Sequence, residues 1–133
     1  MQEGAIRELD DGDLEFASLL NRLGVKRNVA KLITFLAAAG GESTSREIEH
    51  GCGMRQPEVS IAMRTLRRES WVSEREVRRG EGKGRPHKSY TLVTPIDEIV
   101  ARLEDERQKQ SHETMENIQR LKDLAPTAGR VGE

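Results

Sequence analysis

The chain has 133 residues and one cysteine, and its 22 Lys or Arg against 23 Asp or Glu leave a net charge of −1. That length suits one domain with an appendage. A lone Cys52 excludes an internal disulfide framework and a thiolate metal cluster, and no apolar run reaches the roughly 18 residues of a membrane span.

The charge is unevenly spread. Residues 1–24 carry two basic and six acidic side chains, and residues 95–124 carry five basic and eight acidic. Between them, residues 55–88 carry ten Arg or Lys against five Glu. A basic middle between acidic ends suits a surface that meets a polyanion, and it equally suits a solvated face of mixed sign. Aromatic residues make up only 3%, so the core must rest on Leu, Ile, Val, Met and Ala. The acidic stretch from Glu3 to Glu15 has the wrong charge for a signal peptide, and the cytoplasm is the expected compartment.

Residues 1–12 are polar, with Gly4 and Gly12, and form an expected flexible start. Asp13 is placed to cap a first helix to about Leu23, with Phe16, Leu19, Leu20 and Leu23 on one face and Gly24 ending it. Val29, Leu32, Ile33 and Leu36 recur at helical spacing and predict a second helix over 26–39, stopped by Gly40 and Gly41. Thr44 followed by Glu47 matches a capping box and opens a short third helix over 45–50. The Gly51-Cys52-Gly53 run then forces a tight turn. A fourth helix follows to about Glu69, with Gln56 at the cap and Pro57 at the first helical position. Two helices joined by so short a glycine turn are the signature of a helix-turn-helix.

The fourth helix has two faces. Val59, Ala62, Met63 and Leu66 follow the inward pattern, while Ser60, Ile61, Arg64 and Arg68 lie outside it, with Arg55 and Gln56 at the leading end. Such an outer face suits base reading in a DNA major groove. Arg grips guanine edges in two places, Gln pairs with adenine, and Ser or Ile meets a phosphate or a thymine methyl. The same pattern also describes an ordinary amphipathic surface helix. The major-groove candidates are Arg55, Gln56, Ser60 and Arg64.

Residues 71–77 alternate and predict a strand, and residues 88–93 predict a second. The segment between them holds Gly80, Gly82, Gly84 and Pro86 among basic groups and reads as the tip of a β-hairpin. A cationic tip of this kind makes sense as an arm along phosphates or in a minor groove. Its candidates are Arg78, Arg79, Lys83, Arg85, His87 and Lys88.

Taken together, residues from about 26 to 93 resemble a winged helix-turn-helix of the MarR and TrmB-like regulator group. The residues that carry the resemblance are Thr44 to Ile48, the Gln56-Pro57-Glu58-Val59-Ser60 run, the run from Leu66 to Val72, and the run from Gly84 to Tyr90. The resemblance implies that the helix beginning at Gln56 enters the major groove and that the tip bearing Arg85 touches the adjacent minor groove or backbone. Ser70 stands where the group often has glycine. The longer sensor domain of sugar-responsive TrmB proteins is absent, so no sugar effector carries over.

After Thr94 and Pro95, a last helix is expected to about Leu124, with residues 126–133 as a disordered tail beyond Pro126. Its length, about 45 Å, exceeds what so small a domain can cover. Ile96, Ile99, Val100 and Leu103 form one apolar stripe, and Met115, Ile118, Leu121 and Leu124 form another, separated by a polar seam. A coiled-coil homodimer through Ile96, Ile99, Leu103, Met115, Ile118 and Leu121 would bury both. A helix that frays or packs on its own domain is the other reading.

The expected architecture is therefore α+β and mostly α. A winged helix-turn-helix with a two-stranded wing spans 13–93, and a dimerisation helix spans 94–125. The expected function is homodimeric binding to a pseudo-palindromic double-stranded DNA site and regulation of transcription. Two other readings are a protein-interaction module in a transcription assembly and a regulator gated by a ligand or by oxidation of Cys52. Cys52 lies near Arg55 and a helix start, which lowers a thiol pKa, although such a residue is more often a packed hydrophobe. His50, His87 and His112 fall on separate elements, so no metal or other cofactor is expected. No nucleophile set or phosphate loop is legible, and the chain is not expected to be an enzyme.

Overall fold

The computed structural model describes residues 8–77 and 87–128. In chain order these form α1 (Asp11–Arg22), α2 (Arg27–Ala39), β1 (Ser43–Thr44), α3 (Ser45–Cys52), α4 (Gln56–Arg68), β2 (Val72–Val77), β3 (His87–Leu92) and α5 (Ile96–Ala128). The fold is mostly helical with one small sheet, an arrangement consistent with a winged helix-turn-helix.

Local chemistry explains where the helices start. Asp10, not Asp13, caps α1. Its carboxylate accepts the Asp13 N–H at 2.8 Å, and the Asp13 carboxylate accepts the Asp10 N–H at 3.0 Å. Two aspartates three residues apart make a reciprocal box, and the first of them is the cap. Thr44 and Glu47 form the expected box at α3, with hydrogen bonds of 3.2 and 2.9 Å. That helix runs on through Gly51 to Cys52, and the left-handed residue that ends it is Gly53, at φ +66°. At α4 the cap is Arg55, one residue earlier than expected, so Pro57 is the second helical residue. It is harmless there too, because N–H groups of the first turn have no partner within the helix. The Glu58 carboxylate accepts the Arg55 N–H at 2.9 Å. α5 continues to Ala128, past Pro126; a proline removes one hydrogen bond without obliging a helix to stop.

The sheet has three antiparallel strands in the order β1-β3-β2, where two were expected. β1 pairs Ser43 with Tyr90 and Thr44 with Ser89. Two residues are too few to show alternation, which is why this strand escapes a sequence reading. β2 and β3 pair along their whole length, from Val72 with Leu92 to Val77 with His87.

The core lies on α2. Leu32, Ile33 and Leu36 are sealed from solvent together with Ile48 of α3 and Met63 and Leu66 of α4, and Tyr90 and Trp71 are buried with them. α2 packs against α1, α3, α4 and β3. The chain divides into two compact units between Ile96 and Asp97, so that the bulk of α5 stands as a unit of its own. Among the described residues no helix is long and apolar enough to cross a membrane.

The end of α4 generates a stability prediction. Ser70 N–H donates to the Arg67 carbonyl at 3.0 Å and Trp71 N–H to the Leu66 carbonyl at 3.0 Å, the paired bonds of a Schellman stop. The residue between them must be left-handed, and Ser70 has φ +63°. A side chain in that conformation costs about 1–2 kcal/mol, and glycine removes the strain at some cost in unfolded-chain freedom. Ser70→Gly should therefore stabilise the fold by about 0.5–1 kcal/mol, a rise of a few degrees in Tm. Thermal unfolding followed by circular dichroism checks this; an unchanged or lower Tm would show that Ser70 is not strained.

Candidate nucleic-acid interface

α3 and α4 meet through a turn of three residues, Gly53, Met54 and Arg55. Met54 is buried and its N–H donates to the Glu49 carbonyl at 2.9 Å, so the turn is pinned from within. This fixes the outer face of α4. Arg55, Gln56, Ser60 and Arg64, the four expected groove readers, are all exposed. Gln56 Nε2 donates to Ser60 Oγ at 2.8 Å. Neither Arg55 nor Arg64 forms an ion pair among the described residues.

One further residue joins this face. At 3.6 residues per turn, Gln56, Ser60, Arg64 and Arg67 fall on one line along the helix. Arg67 was not singled out from the sequence, although its spacing of seven from Ser60 was the available signal. Ile61, beside that line, is 62% exposed. A branched aliphatic side chain held in water on a helix of cationic and amide groups is suited to thymine methyl contact.

The stem of the hairpin is less cationic than its sequence. His87 and Lys88 are exposed. Lys88 Nζ lies 3.4 Å from Glu74 Oε2, and the other oxygen of Glu74 accepts Arg67 Nη1 at 3.1 Å. Lys88 is thus an exposed cation that already has a carboxylate beside it in the free chain. On the alternate face of β2, Arg75 grips both oxygens of Glu42 and holds that carboxyl below its ordinary range. Arg78, Arg79, Lys83 and Arg85 lie outside the described residues.

On α5, Ile99 and Leu103 are buried and Ile96 is half-buried. Met115, Ile118, Leu121 and Leu124 are exposed, Met115 by 60% and Leu121 by 67%. The apolar surface that α5 offers is therefore its distal stripe.

The remaining candidates are accounted for by ordinary contacts. His50 Nε2 lies 3.0 Å from Glu8, and His112 Nε2 lies 3.1 Å from Glu116. Among the described residues no three His, Cys, Asp or Glu side chains are grouped to hold a metal ion. Cys52 sits in the last turn of α3, not at a helix start, with Sγ 3.7 Å from the Lys31 carbonyl. Burial pushes its thiol up to about 12, outweighing the opposing charge of Lys31. This favours the packed hydrophobe over the alternative of an activated thiol, because desolvation of a thiolate costs more than one nearby cation returns.

No family model matches the chain, and no curated protein matches it. Among solved structures it is similar to the crystal structure of NadR in complex with 4-hydroxyphenylacetate. Identity is 17%, coverage is 88% of this chain and 83% of that chain, and the TM-score is 0.46.

The thiol yields a direct check. Reaction requires thiolate, which a pKa near 12 makes scarce at pH 8. Cys52 in the native chain should react with a disulfide reagent at least about 100-fold more slowly than in the denatured chain. Comparable rates in the two states would restore Cys52 as a reactive centre.

Proposed function

We propose that the chain is a sequence-specific double-stranded DNA-binding regulator of transcription that acts as a homodimer. The observation that carries this reading is the outer face of α4. Four side chains able to read base edges, Arg55, Gln56, Ser60 and Arg64, stand exposed on the second helix of a helix-turn-helix, with an apolar Ile61 beside them. Arg and Gln reach guanine and adenine edges from the major groove, and Ile61 reaches thymine methyls. In this reading the basic residues between β2 and β3, Arg78, Arg79, Lys83 and Arg85, serve with exposed His87 and Lys88 as backbone or minor-groove contacts, where charge gives affinity without sequence.

Dimerisation rests on the exposed Met115, Ile118 and Leu121 of α5. A contiguous apolar stripe in water is a liability that pairing with a second copy removes. Two-fold symmetry then sets two α4 helices about 34 Å apart, the spacing of successive major grooves, and calls for a pseudo-palindromic site.

Binding of labelled duplexes from the chain's own upstream region, against random-sequence duplexes, tests the reading. Arg64→Ala should weaken specific binding by about 10–100-fold while changing non-specific binding far less. Arg85→Ala should weaken both and flatten the dependence of log K on log salt by about one. Equal affinity of the native chain for all duplexes would remove sequence-specific regulation from consideration. Ile118→Glu combined with Leu121→Glu should convert a dimer to a monomer in sedimentation velocity; a persistent dimer would place the interface elsewhere.

A further inference from the structure

Glu74 occupies an unusual position between the two candidate DNA-contacting elements. One carboxylate oxygen takes Arg67, which continues the line of Gln56, Ser60 and Arg64 along α4. The other takes Lys88, at the base of the hairpin. Glu74 thus holds one cation from the reading helix and one from the wing. All three side chains remain in contact with water, with exposures of 44% for Arg67, 30% for Glu74 and 54% for Lys88.

A structural staple would be redundant at this point. β2 and β3 are already locked by six registered pairs. The passage from α4 into β2 is fixed by the Schellman stop, by buried Trp71, and by the hydrogen bond from Val93 N–H to the Trp71 carbonyl at 2.8 Å. Exposed ion pairs add little to elements already so constrained. What the carboxylate changes is charge. With it the trio carries +1, and without it +2, on the side from which a polyanion is read.

We propose that Glu74 is an affinity-limiting counter-ion: it occupies Arg67 and Lys88 in the free protein, and DNA phosphates must displace it to recruit them. This rests on the DNA-binding reading above and deepens it. Cations engaged by a carboxylate contribute less to counter-ion release from DNA, so the carboxylate holds down affinity for any duplex, whatever its sequence. Loose attachment to the excess of non-cognate DNA is thereby restrained, while the reading groups Arg55, Gln56, Ser60 and Arg64 are left untouched.

Glu76 provides the matched control. It lies on the same face of β2, two residues on, and is the cross-strand partner of Lys88, yet no ion pair joins it to Arg67 or Lys88. Binding of the full-length chain to a random-sequence duplex is measured by fluorescence anisotropy between ~50 and ~200 mM salt. Glu74→Gln should tighten binding by about threefold to tenfold and steepen the slope of log K against log salt by about one. Glu76→Gln should give a clearly smaller change. In an Arg67→Gln, Lys88→Gln background, Glu74→Gln should add almost nothing. The inference is overturned if Glu74→Gln and Glu76→Gln act alike, since net charge alone then suffices. It is overturned equally if the gain survives without Arg67 and Lys88, or if Glu74→Gln weakens binding, which would make the carboxylate a positioning group. A native chain that binds no duplex at all removes both this inference and the reading beneath it; one that binds while Glu74→Gln is silent removes the inference alone.

Discussion

The apolar face of α2 is the surface on which the first unit is assembled. Leu32, Ile33 and Leu36 are sealed from solvent, and α1, α3, α4 and β3 all pack on this helix. Each such side chain contributes roughly 1.5–3 kcal/mol on burial, whereas an exposed ion pair contributes ~0–1 kcal/mol. The orientation of α4 is thus set by Val59, Ala62, Met63 and Leu66 pressing inward, and not by any charge on its outer side. Because the inward face is determined by packing, the outward face is free to carry groups that do nothing for the fold.

That division explains which parts of the molecule could be read from residue order alone. The helices were legible because apolar residues recur at helical spacing from Val29 to Leu36 and from Val59 to Leu66, and because Thr44 and Glu47 announce a cap. The base-reading candidates followed from the same periodicity, since whatever is not inward on α4 must be outward. Errors gathered where a local signal had two valid readings. Asp10 and Asp13 are both good caps, and only the hydrogen bonds show which one opens α1. Gly51 and Gly53 both permit a turn, and only Gly53 takes the left-handed conformation. β1 was illegible because a two-residue strand exists only by virtue of its partner β3.

Charge was the least legible property. Residues 55–88 look strongly cationic along the chain, but the fold brings Glu42 to Arg75, and Glu74 to Arg67 and Lys88, from positions seven or more residues apart. Sequence reveals how many charges an element has and says nothing about which of them are already engaged. The thiol of Cys52 makes the same point from the opposite side. Its neighbours in sequence suggest activation, and its neighbours in space impose desolvation.

The distribution that results is informative in its own right. On the outer side of α4 the paired cation, Arg67, lies in the last turn, while Arg55 at the cap and Arg64, three residues before Arg67, have no ion pair among the described residues. The leading turns of a recognition helix are those that reach base edges, while its far end runs out toward the backbone. A carboxylate paired with the guanidinium of Arg55 or Arg64 would compete directly with guanine for that side chain. At Arg67 the carboxylate would compete with phosphates in the proposed complex, and what it would moderate is sequence-independent affinity. Glu74, held by β2, engages Arg67 in the last turn of α4, where a negative charge would bear on the proposed phosphate contacts more than on the proposed base contacts.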